Sequence, residues 1–81
     1  MKTELRKAVD YCYPSSPHAC QHGYDRSGCF VVTLVDADYN AKVVSAHAER
    51  MDAYRTAAAM PEVWHPLWVK YDREYIDAAE A

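Results

Sequence analysis

Cys12, His18, Cys20, His22 and Cys29 place five thiol or imidazole side chains within eighteen residues. Thiolates and imidazoles are the donors that Zn²⁺ takes in tetrahedral sites. If residues 19–22 run extended, His18, Cys20 and His22 share one face, because strand side chains alternate with period two. The spacing Cys-x5-His-x-Cys-x-His-x6-Cys nevertheless lacks the two close-spaced ligand pairs of structural zinc sites. The competing reading is a polar loop that carries two exposed histidines, with the cysteines tucked beneath it as small hydrophobes. Cys20 beside His18 or His22 also supplies the groups of a thiol nucleophile and its base. Thiol enzymes, however, usually bring that pair together from distant parts of the chain.

Asp36-x-Asp38-x-Asn40 opens like a calcium loop, and the rest of the loop fails. Ala41 stands where the glycine is required, His47 where the bidentate glutamate is required, and strand sequence precedes it. The carboxylates are instead turn formers, which hydrogen-bond their own backbone. Asp36, Asp38 and Tyr39 at this tip, with Glu49 and Asp52 on the following helix, form a candidate partner-binding set. There is no Gly-x-Ser-x-Gly, no phosphate-cradling glycine loop and no His-Glu-x-x-His, so no enzymatic activity and no cofactor are expected.

Trp64, Trp68, Tyr71 and Tyr75 follow one another at spacings of 4, 3 and 4, one face of a helix. As core, these rings would cover a sheet and supply area that a short chain needs. As surface, they would form an interface, with a homodimer as the candidate assembly.

The elements that must position these groups follow from periodicity and breakers. Leu5, Ala8, Val9 and Cys12 recur at helical spacing behind Thr3, which predicts an N-terminal helix ended by Pro14. Residues 13–28 are rich in Pro, Ser and Gly and read as loop, with an optional edge strand over residues 19–24. Cys29 to Val35 is β-branched and apolar on both faces, a central strand. A turn at residues 36–40 leads to a second strand over Lys42 to Ala46. A helix then opens at Ser45 or His47, with Ala48, Met51, Tyr54 and Ala58 on its buried face, and runs to Met60, where Pro61 stops it. Pro66 starts a final helix to about Ala79, with Arg73 and Asp77 as a helix-spaced ion pair. The expected fold is α+β: an antiparallel sheet of two or three strands, with the N-terminal helix and two C-terminal helices packed on one face.

Eighty-one residues make one domain, 1–81. With 51% hydrophobic, 26% charged and 12% aromatic residues, the composition is that of a folded globule. Residues 1–42 carry five charges of each sign, and residues 43–81 carry four basic and seven acidic, so the net charge of −3 sits in the C-terminal half. No basic run exceeds Arg6-Lys7, which argues against direct nucleic-acid binding. The apolar stretch from Phe30 to Val35 is too short to span a bilayer, and the charged N-terminus lacks a secretory apolar segment. A cytoplasmic protein without membrane contact is expected, its three cysteines outside any disulfide framework.

A hairpin over residues 29–46 leading into an alanine-rich helix over residues 47–60, in a small, mildly acidic, motif-free chain, resembles the inhibitor proteins of phages and other mobile elements. It resembles anti-CRISPR proteins in particular. That resemblance implies a non-enzymatic protein that occupies a surface of a CRISPR effector complex, with exposed carboxylates meeting basic groups. It transfers no functional residues, because the class shares no motif, and the modest −3 departs from its strongly acidic DNA-imitating members. The expectation is therefore a protein-binding inhibitor that acts on another protein or complex. The alternative is a zinc-stabilised structural or regulatory module.

Overall fold

In the computed structural model, residues 4–12 and 29–81 are described. Three strands, β1 (Arg6–Cys12), β2 (Cys29–Val35) and β3 (Ala41–His47), form an antiparallel sheet in the order β1-β2-β3. The helices α1 (Arg50–Ala58), α2 (Pro66–Tyr71) and α3 (Arg73–Glu80) follow. The α+β class with an antiparallel sheet is as expected, and the third strand comes from residues 6–12. The optional strand over residues 19–24 and the loop around it lie outside the described residues.

The N-terminal helix is not formed: Arg6–Cys12 is β1, paired along its whole length from Arg6↔Val35 to Cys12↔Cys29. The helical spacing of Leu5, Ala8, Val9 and Cys12 is overridden by β2. A central strand that is apolar on both faces needs a ladder partner on each edge, and tertiary pairing outweighs a local propensity of tenths of a kcal/mol per residue. Adjacent Ala8 and Val9 are both buried, as residues pointing to opposite faces of a covered sheet would be. Val9 and Val32 pack with Ala53, Tyr54, Ala57 and Ile76 of α1 and α3, while Cys29 and Val31 gather Cys12, Val43 and Ala46.

Between Val32↔Ser45 and Thr33↔Val43 the register shifts, which leaves Val44 as an exposed bulge residue. At the tip, Asp36 Oδ1 accepts from the backbone N–H groups of Asp38 (2.8 Å) and Asn40 (3.0 Å), closing the expected turn. Tyr39 sits there at φ 63, left-handed backbone that a side chain with a Cβ disfavours.

α1 begins later than expected because residues 45–47 remain in β3, paired with Val32 and Phe30. Its buried stripe is Ala53, Tyr54 and Ala57, rotated from the predicted face, although Glu49, Arg50, Asp52 and Arg55 are exposed as predicted. The single final helix is two. Pro66 does stand at the first position of α2, behind His65, whose Nδ1 accepts from the Leu67 N–H at 3.3 Å. Asp72 then leaves helical geometry (φ −116, ψ 28) and starts α3, and Arg73 meets Asp77 at 3.7 Å.

The segment between α1 and α2 closes the outer edge of β1. The Lys7 N–H donates to Val63 O (2.8 Å), and the His65 N–H donates to Lys7 O (2.9 Å). Trp68 Nε1 donates to Val9 O at 2.6 Å. An edge that would otherwise template foreign strands is thus covered. Lys7, 5% exposed, donates from Nζ to Met60 O at 3.0 Å and lies 4.9 Å from the Trp64 ring centre. Burial pushes its ammonium downward from the usual lysine range, opposed by Glu80 and Glu62.

Candidate functional site

The aromatic row does not form one face. Trp64, Trp68 and Tyr75 are half-buried against the core, whereas Tyr71 is 72% exposed. Trp64 covers β1 and donates from Nε1 to Glu80 Oε1 at 2.7 Å. The row is split because α2 and α3 change direction at Asp72, which turns Tyr71 outward and Tyr75 inward.

That break opens a cleft of about 420 Å³ between the end of β1, the start of β2, α1 and α2. Val9 and Tyr54 are its buried members, and Phe30 and Trp68 are half-buried walls. Tyr11, Leu67 and Tyr71 are exposed at its margin. Two carboxylates, Asp10 and Asp72, line it, as does the Arg50 guanidinium.

Each polar group has a defined setting. Tyr54 donates from its hydroxyl to Asp72 Oδ2 at 2.6 Å, which ties the α2–α3 break to α1. Burial, then that bond, pushes the Tyr54 phenol well above its usual range. Burial, then the like charge of Asp72, pushes the Asp10 carboxyl upward. Arg50 lies 4.7 Å from the Tyr75 ring centre and 5.1 Å from that of Phe30, and donates from Nη1 to Tyr75 Oη at 2.6 Å. Its charge is held on ring faces, and no ion pair among the described residues engages Asp10 or Asp72. The cleft offers carboxylate acceptors beside aromatic faces, the chemistry that receives an organic cation.

The predicted contact set is divided between two ends of the molecule. Asp36, Asp38 and Tyr39 sit at the β2–β3 tip, where Tyr39 is 71% exposed and its ring centre lies 5.7 Å from that of His65. Glu49 and Asp52 follow the far end of β3, a seven-residue strand that spans about 20 Å. Glu49 and Asp52 therefore share the end at which Arg50 lines the cleft. Asp36 serves the turn itself, and Asp38 is exposed.

Of the five candidate zinc ligands, Cys12 and Cys29 are direct cross-strand partners, and both are free thiols. Burial, then the neighbouring Cys12, pushes the Cys29 thiol upward. His18, Cys20 and His22 lie outside the described residues, among which no group of three metal-ligating side chains converges. No helix of the described residues is long and apolar enough to cross a membrane.

Asp10, Tyr11, Arg50, Tyr54 and Asp72 are cleft residues that sequence reasoning missed. Asp10 falls within the predicted N-terminal helix, and Asp72 within the interior of the predicted final one. An aspartate is a poor interior helix residue, and that was the one signal at Asp72. No family model, no curated protein and no solved structure matches the chain.

Proposed function

We propose that this protein is a small non-enzymatic inhibitor that works by occupying a surface of another protein or protein complex. The observation that carries this reading is the cleft, an acidic, aromatic-walled recess with exposed Tyr11, Leu67 and Tyr71 at its margin. Tyrosine is enriched in binding hot spots, and an apolar surround keeps water from the polar contacts within. The tip supports a second contact. Tyr39 holds a disfavoured backbone conformation on an exposed loop beside Asp38, and such strain clusters at sites of function.

The resemblance to anti-CRISPR proteins names the first target class to try, a cytoplasmic CRISPR effector complex whose basic groups would meet these carboxylates. The test is plasmid interference. In cells with an active CRISPR system, expression of this chain should restore transformation by a targeted plasmid. Tyr71→Ala with Asp10→Asn should remove most of that restoration. If no effector class yields any restoration, that target assignment fails.

The pairing of Cys12 with Cys29 favours a second reading, a zinc-stabilised structural or regulatory module, since two of its five candidate ligands are already adjacent. Stoichiometric zinc and unfolding on chelation would make it the stronger one.

A further inference from the structure

We infer that the cleft receives an arginine side chain of the partner, its guanidinium placed between the carboxylates of Asp10 and Asp72 and against the rings of Trp68 and Tyr71. This deepens the protein-binding reading and rests on it. The charge in the cleft calls for a cation. Tyr54 occupies Oδ2 of Asp72, and among the described residues no hydrogen bond or ion pair engages the Asp10 carboxylate. The cleft's own guanidinium, on Arg50, is committed to Tyr75 and Phe30. Burial and Asp72 both disfavour the Asp10 charge in the free protein, and a cation seated beside it relieves both.

Shape selects guanidinium over ammonium. A guanidinium is planar, pairs with carboxylates through two parallel N–H groups and stacks on aromatic faces, whereas an ammonium is a compact, strongly hydrated point charge. The Arg50 guanidinium already lies over aromatic rings within the same molecule, 5.1 Å from the Phe30 centre and 4.7 Å from that of Tyr75. At about 420 Å³ the recess has the size of a ligand cleft, enough for a long side chain entering past the exposed Leu67 and Tyr71.

The test is titration of the ¹⁵N-labelled full chain with N-acetyl-arginine amide at low salt, read at the Trp68 indole N–H and the Asp72 amide. N-acetyl-lysine amide and N-acetyl-citrulline amide are the comparison probes. Saturable shifts at these two groups are expected with the arginine probe. Affinity should fall about threefold for lysine and about tenfold for citrulline, which keeps the shape and loses the charge. Asp10→Asn, which keeps the side-chain shape and removes the charge, should weaken arginine about fivefold or more. Equal affinity for citrulline, shifts centred elsewhere, or an unaffected Asp10→Asn would overturn the inference. The two readings fail separately. Inhibition in cells without arginine seating removes this inference alone, and arginine seating without inhibition of any target removes the inhibitor reading while the cleft assignment stands.

Discussion

Tyr54→Phe isolates the contact that shapes the cleft. The Tyr54 side chain is buried, 3% exposed, and its ring stacks on Trp64 at 5.9 Å and on Tyr75 at 5.4 Å. Phenylalanine keeps those rings and removes only the hydroxyl that donates to Asp72 Oδ2 at 2.6 Å. A hydrogen bond to a charged acceptor contributes about 1.5–3 kcal/mol net. Asp72 is half-exposed, so water from the cleft partly replaces the lost donor, and the expected cost is about 1.5–2 kcal/mol. For a domain of this size that lowers Tm by roughly 6–16 °C. Thermal unfolding followed by far-UV circular dichroism measures it. A double-mutant cycle with Asp72→Asn then separates the pair from its surroundings. A fall of Tm below about 2 °C, or strictly additive losses in the cycle, would refute the claim that this bond ties the α2–α3 break to α1.

Three further outcomes are expected. Asp10→Asn should raise stability at pH 7. A carboxyl raised in the folded state is destabilising above its folded pKa, and that penalty fades as pH falls toward the unfolded aspartate value of about 3.9, so the two proteins should melt together near pH 3. A gain that does not change with pH would mean a packing effect. Tyr39→Gly should raise stability by about 0.5–1 kcal/mol by relieving left-handed backbone, and a lower Tm would show that the contact with the His65 ring outweighs the strain. If the chain is a homodimer through its aromatic row, native mass spectrometry should show Tyr71→Ala converting it to monomer without unfolding, because Tyr71 is the exposed member of that row. The same spectra report zinc, and a metal-free chain would remove the zinc module.

Local chemistry decided which elements were legible in the sequence. β2 was readable residue for residue, because Cys29 to Val35 is apolar on both faces whichever way the sheet lies. The Asp36 turn, Pro66 at a helix start and the Arg73–Asp77 pair each depend on neighbours within five residues, and each is present. β1 was not readable, because its apolar residues fit a helix stripe and only the distant β2 decides the matter. The cleft was hidden for the same reason. Asp10 and Asp72 lie 62 positions apart in sequence (72 − 10) and face one recess only once β1 is a strand and Asp72 breaks the last helix. Lys7 was similarly opaque, since nothing in Arg6-Lys7-Ala8 announces that its ammonium will be buried on Met60 O.

The central claim is inhibition by occupancy, and its most direct measurement is a titration of a purified effector complex's nuclease activity with this chain. Occupancy predicts that activity falls in proportion to added protein and reaches its floor at a fixed molar ratio, independent of incubation time. No loss at excess against every effector class would remove only the effector as target; progressive loss of activity at trace amounts would mean turnover and contradict the account.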